Sequence, residues 1–240
     1  MFIVYLVVFG GFACLFPLAF YCLVLASWNG RRRPLLVSGP ADFAGVLLAT
    51  SGFLIAGGPL ILNGLYDAWR WSALHGSFTL IRKGLHESSR FWLLVWFGYF
   101  VLVVGGATWL LIRRRAVIVI YNIDPADAVE LVPDALRRLG VRLVHRTTGY
   151  FVEFDDGPHS GRALLDITVT PIMRHMTLSW SSVSGDARRR VEAELAQVLA
   201  EFEAPANPAA GWFLTAATGL FALLLALLAF FVFQAWRLRG

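Results

Sequence analysis

The chain has 240 residues, of which 58% are apolar or aromatic and 15% charged, with a mean hydropathy of +0.64. A water-soluble domain carries about a quarter charged residues, so this balance excludes an ordinary soluble globule and describes an integral membrane protein. The net charge of +5 comes from 21 basic and 16 acidic residues, and Lys83 is the only lysine, an arginine bias that fits a GC-rich bacterial coding sequence better than a binding surface.

The first element is residues 2–28, "FIVYLVVFGGFACLFPLAFYCLVLASW", which hold no charge. At about 1.5 Å per residue such a helix exceeds a hydrocarbon core of about 30 Å, with a bend expected near Pro17. It lacks the basic leader and short apolar stretch of a signal peptide, and the positive charges follow it in "NGRRRP", so it is expected to stay attached. Cys14 and Cys22, eight positions apart on this helix and so about 12 Å along it, are too far apart to bridge each other and read as small apolar residues.

Charge-free runs at about 43–65, 91–112 and 211–235 predict three further spans. Trp28, Trp92, Trp109, Trp212 and Trp236 fall at the proposed boundaries, where an indole rests well, and serve as expected interface anchors. Asn207 and Pro208 supply a cap and a first helical residue for the last span.

The triplets Arg31, Arg32, Arg33 and Arg113, Arg114, Arg115 complete the set of anchors. Two spans separate them, so they share a side, and their clustering places that side in the cytoplasm of a multi-pass inner-membrane protein, with both termini outside. Arg70, Arg82, Lys83, Arg90, Arg237 and Arg239 would then lie outside; orientation follows clustering, not number.

The second span holds Gly45, Gly52, Gly57, Gly58, Gly64 and Pro59. A broken, substrate-lining helix is one reading. Close helix packing through small residues, Gly52 with Ala56, is the favoured one, because the interiors of the four runs lack the ionisable groups of ion and proton pathways. The segment 67–90, with Trp69, Trp71, Arg70 and Lys83, is aromatic and basic enough to lie along a lipid surface.

After Arg115 the pattern changes. "AVIVIY" at 116–121 is β-branched and too short to span, and apolar on both faces, which predicts a central strand. Asp124 and Pro125 start a helix that runs past Pro133 to a stop at Gly140. "VRLVHR" at 141–146 and "YFVEF" at 150–154 read as strands, and "LLDITVT" and "HMTLSWS" alternate strictly, with Leu165, Ile167 and Val169, then Met176, Leu178 and Trp180, on one face. A last helix from Gly185, with Asp186 as cap, carries Val191, Leu195, Val198, Leu199 and Phe202 in one stripe, with Arg188 facing Glu192 and Arg190 facing Glu194.

The expected architecture is four transmembrane α-helices plus a small two-layer α+β domain, β-α-β-β-β-β-α with an antiparallel sheet, at 113–206 between the third and fourth spans. It resembles ferredoxin-like sandwiches loosely, without the final strand of that fold. Within 113–206 there are 12 arginines and 13 acids, and 9 against 13 without the triplet. A nucleic-acid module needs a basic stripe, so nucleic acid is not an expected partner; the lipid bilayer, other membrane proteins or a second copy are.

The nearest approach to a metal or acid–base cluster is Asp155, Asp156 and His159 in "DDGPH", with His145 and His175 on neighbouring strands. Ordinary turn chemistry accounts for it better, because no two of these histidines show close ligand spacing. No nucleophile-elbow, zincin, phosphate-loop or dinucleotide fingerprint occurs. The expectation is therefore a non-enzymatic membrane protein without cofactor, whose α+β domain serves interaction or regulation. A transport component for an apolar or lipid-like solute is the alternative, and a metal-dependent membrane enzyme the weaker one.

Overall fold

A charge-free backbone in an apolar medium satisfies its N–H and C=O groups only within itself, which selects helices for the long apolar runs. In the computed structural model, which describes residues 2–58, 62, 89–146, 149–154, 161–181 and 185–237, these runs form α1 (Phe2–Asn29), α2 (Gly39–Gly52), α3 (Ser89–Arg113) and a long C-terminal helix at Pro208–Arg237. Pro17 lies inside α1. A π-helical turn, Phe53–Gly57, continues α2. Among the described residues, four helices are long and apolar enough to cross a membrane. The end of the second run beyond Gly58, apart from residue 62, and the segment 67–88 lie outside the described residues.

The chain divides into two compact units, 1–21 with 46–110 and 218–240, and 22–45 with 111–217. In the first, the helices meet through small and aromatic residues. Gly52 of α2 rests on the backbone of Ala13 and Cys14, where a Cβ would collide. Close approach through a small residue is thus what this glycine does, against α1. The Tyr99 hydroxyl of α3 donates to the Leu54 carbonyl in the π-helical turn at 2.6 Å, and Phe16 meets Phe221 edge-on at 6.3 Å.

The second unit is built on an antiparallel sheet of six strands: β1 (Leu35–Ser38), β2 (Val117–Tyr121), β3 (Arg142–Arg146), β4 (Gly149–Phe154), β5 (Gly161–Thr170) and β6 (His175–Ser181). Their spatial order is β1-β2-β6-β5-β4-β3. From β2 onward the elements follow the order expected from the sequence, with α4 (Pro125–Arg138) after β2 and α5 (Gly185–Glu201) after β6. The addition is β1, drawn from the link between α1 and α2. It pairs Leu35 with Tyr121 and Ser38 with Ile118, so β2 has neighbours on both sides.

Helix ends follow local chemistry. Asp124 caps α4 by accepting from the Ala126 amide at 3.1 Å, and Pro133 sits within the helix without ending it. Gly140, at φ +69°, takes the left-handed turn that the α4 exit requires. The Gly140 and Val141 amides then close onto the Arg137 and Leu136 carbonyls, a Schellman stop. Asp186 lies in the first turn of α5, which begins at Gly185 and ends at Glu201.

Both helices cover one face of the sheet. Ile118 and Ile120 of β2, Val152 of β4, Leu165 of β5 and Met176, Leu178 and Trp180 of β6 form a core with Val132, Ala135 and Leu136 of α4 and Val191, Leu195, Val198 and Leu199 of α5. Phe202, expected on the α5 stripe, follows the helix end and is half-buried. Ile167 and Val169 pack at the rim of the core, while Asp166 and Thr168 alternate to the other face. Arg188 pairs with Glu192 at 2.6 Å on the outside of α5.

Candidate functional site

On its second face β2 presents Val117, Val119 and Tyr121, and Val119 and Tyr121 are buried without belonging to the helix-covered core. What covers Tyr121 is the ends of the apolar helices. The Trp28 indole, one residue before the end of α1, lies 5.2 Å from the Tyr121 ring. The Tyr121 hydroxyl donates to the carboxylate of Asp42, in the first turn of α2. The other Asp42 oxygen faces the Arg114 guanidinium, just past the end of α3, at 3.4 Å. Arg114 also lies over the Phe43 ring, 4.9 Å from its centroid.

Asp42 is only 8% exposed. A carboxylate taken that far from water is tolerated where donors replace its hydration. Here a phenol and a guanidinium do so, and the acid also sits at the positive end of α2. Gly39 makes this approach possible: a Cβ there would stand 2.6 Å from the Arg114 carbonyl oxygen and 2.8 Å from Val117 Cβ.

His175 pairs with Tyr121 in register, their rings 6.0 Å apart. Burial lowers the His175 pKa from its ordinary value, and the Asp42 charge partly opposes that shift. Its Nδ1 has no hydrogen-bond partner among the described atoms, nor has Oδ1 of the buried Asn122 next to Tyr121. Buried polar atoms of this kind are few in folded proteins.

A second polar contact joins the remaining helix end. Asn207 caps the last helix, α6 (Pro208–Arg237), by accepting from the Ala209 amide at 3.0 Å. Its Nδ2 donates to Asn29 Oδ1 at 2.9 Å and to the Met173 carbonyl at 3.3 Å, and Asn29 Nδ2 donates back to Leu25 O within α1. Both asparagines are buried. Asn122, in a left-handed conformation at φ 59°, donates to the Arg31 carbonyl at 2.6 Å. The Ala204 amide donates to the Arg32 carbonyl at 2.8 Å. The C-terminal ends of α1 and α3 and the N-terminal ends of α2 and α6 are thereby gathered on one sheet.

Comparison with known protein families, with curated proteins and with solved structures finds no match.

Of the residues singled out in the sequence, Trp28 and Arg114 belong to this assembly. Arg31, Arg32 and Arg33 are exposed, and two of them lend backbone carbonyls to it. Arg113 and Arg115 are exposed, as are Trp109, Trp212 and Trp236; Trp92 lies in the first turn of α3. Asp155, Asp156 and His159 lie outside the described residues. Among the described residues no three histidine, cysteine or acidic side chains come together as a metal site. His175 stands beside Tyr121 and Asp42, half-buried, and not on an open surface. The residues that sequence reasoning passed over are Asp42, Tyr121, Asn29 and Asn122. The available signal was Asp42 in "GPADF", a lone acid at the head of an apolar run, where it reads equally as an ordinary first-turn acid.

Proposed function

We propose that the protein is a non-enzymatic, multi-pass membrane protein of the bacterial inner membrane whose α+β domain, facing the cytoplasm, is an interaction or regulatory module within a larger membrane complex. The observation that carries this reading is the gathering of four helix ends on β2 and the residues around it. A partner that shifts the sheet acts on all four ends at once, because Asp42, Arg114, Asn29 and Asn207 hold them through directional bonds. Coupling of this kind needs a connected network with two arrangements, not mere proximity.

Topology is part of the proposal. Strands that share a hydrogen-bond ladder lie on one side of a bilayer, so β1 and β2 require an even number of crossings between them. Two candidate spans, α2 with its π-helical turn and α3, lie in that interval. Reporter fusions after Arg33, within residues 155–160 and at Gly240 are expected to read inside, inside and outside. A cytoplasmic reading at Gly240 would overturn this arrangement.

The functional reading is tested by gentle detergent extraction of the native chain and of Asp42→Ala, followed by identification of what co-purifies. A defined membrane partner held by the native chain and lost or loosened by the variant, with the domain still folded, is the expected result. Identical partners for both would separate partner binding from the gathered helix ends.

One observation favours the second reading, a transport component for an apolar or lipid-like solute. The glycine-rich helix carries a π-helical turn at Phe53–Gly57, a local defect found often at functional sites. Gly58 packs against the Tyr99 ring, whereas a Cβ on Gly57 meets nothing closer than Phe53 Cβ at 4.0 Å. Gly57→Leu is therefore the informative substitution, and unchanged solute flux in reconstituted vesicles would remove this reading.

A further inference from the structure

Between β5 and β6 the chain turns through Pro171–Met173 in one 3-10 turn, closed by Arg174 in the left-handed conformation at φ 47° with its amide on the Pro171 carbonyl at 3.1 Å. This turn exposes two apolar side chains, Ile172 at 71% and Met173 at 43%. Sharp turns in water ordinarily carry Gly, Asn, Asp and Ser at such positions, whereas this one sets two adjacent apolar side chains on the surface.

The position of the turn identifies the contact. The Met173 carbonyl accepts from Asn207, which caps α6, and the Arg174 guanidinium reaches the carbonyls of Pro205 and Ala206 at 3.4 and 3.1 Å. The turn is thus bonded to the residues immediately before an apolar helix of 30 residues. Trp212, on the second turn of that helix, is itself 67% exposed. The Met173 carbonyl is taken up by Asn207 and the Arg174 guanidinium by the linker carbonyls and Asp124, while the Ile172 and Met173 side chains stay exposed. An amphipathic face of this kind, next to the point where a span begins, suits the boundary between headgroups and acyl chains.

We infer that the Pro171–Met173 turn inserts Ile172 and Met173 into that lipid boundary and so forms a lipid contact of the domain separate from its helices. The inference rests on the reading of α6 as a membrane span, and its test contains a control for that reading. In full-length chain with Cys14 and Cys22 replaced by alanine, single cysteines at Ile172→Cys, Met173→Cys, Trp212→Cys and Arg189→Cys carry an environment-sensitive fluorophore. Each is reconstituted in phosphatidylcholine–phosphatidylglycerol vesicles and quenched either by aqueous iodide or by lipids bearing a nitroxide near the headgroup.

Labels at 172, 173 and 212 are expected to be quenched by lipid nitroxide at least twofold more than the label at 189, and to be shielded from iodide. Lipid quenching at 212 with 172 and 173 behaving like 189 would overturn the inference and leave the span reading intact. Failure at 212 as well would overturn both. Shielding of 172 and 173 from both quenchers would mean that a protein surface covers the turn, which also overturns it.

Discussion

Asn207 donates its side-chain amide to Asn29 at 2.9 Å, joining the start of the last helix to the end of the first across 178 positions of sequence. Both partners are buried, so neither can exchange this bond for one to water at low cost. The Asn207 side chain holds three partners at once: Asn29, the Met173 carbonyl and the Ala209 amide.

Truncating it should therefore be felt. Loss of an N-cap costs about 0.5–2 kcal/mol, and leaving buried groups without a donor adds about 1–3 kcal/mol. Asn207→Ala is expected to lower the melting temperature in detergent by several degrees. Asn207→Asp keeps the capping acceptor but sets a buried carboxylate oxygen against the Asn29 oxygen and the Met173 carbonyl, so it is expected to melt at or below Asn207→Ala at neutral pH; a melting temperature equal to that of the native chain would dissolve the Asn29 and Met173 bonds.

Tyr121 and Asp42 should behave as a unit. A hydrogen bond to a charged group is worth about 1.5–3 kcal/mol, and the Asp42 carboxylate has little water to fall back on. Tyr121→Phe is expected to destabilise by about that amount. Arg114→Ala removes a partner that is itself 43% exposed but leaves the buried Asp42 carboxylate with the Tyr121 phenol alone, and is expected to cost about 1–3 kcal/mol. In a double-mutant cycle, Tyr121→Phe with Asp42→Ala should lose less than the sum of the single changes; strict additivity would dissolve the unit.

Stability should also depend on pH through His175. Burial lowers its pKa in the folded chain, against a smaller opposing effect of Asp42. Between that lowered value and about 6.5, the ordinary histidine value, the unfolded chain binds more protons than the folded one. Stability is thus fully present above about 6.5 and falls as pH drops from there toward the folded value. Thermal melts of native and His175→Gln chains at a series of pH values check this: the variant should lose part of the acid-side decline, and curves that remain parallel would count against the assignment.

The β1–β2 ladder predicts a cross-link. Leu36 faces Ile120 and Val37 faces Val119, and in an antiparallel ladder one of two successive pairs is the closer, non-hydrogen-bonded kind, with Cα atoms about 4.5 Å apart. With the native cysteines removed, cysteine pairs at 36/120 and 37/119 should include one that oxidises readily. A chain in which neither pair closes does not have β1 in this register.

Much of this architecture was legible because its signals are local. β5 and β6 announce themselves by strict alternation, and the helix starts at Asp124 and Asn207 by a capping side chain next to a proline. β1 was not, since four residues between "RRRP" and "GP" are too short for a period to register, and its partner lies beyond two apolar helices. The same distance hid the site. Asp42 has an unremarkable neighbourhood in sequence, and its meaning comes from Tyr121 and Arg114, 79 and 72 positions away. Apolar character on both faces of "VIVIY" did foretell a strand with cover on each side, though not that helix ends would supply the second cover.

The origin of β1 also orders events during synthesis. Strands β3 to β6 follow one another and can pair as soon as they leave the ribosome, since their contacts are close in sequence. β1 is made first and cannot find its place until Tyr121 has emerged, after α2 and α3. Until then both of its edges are unpaired templates open to other chains, and one remains the outer edge of the finished sheet. The bulky charges of Arg31, Arg32 and Arg33 just before it, and Pro34 and Pro40 on either side, then serve as guards for a strand that must wait.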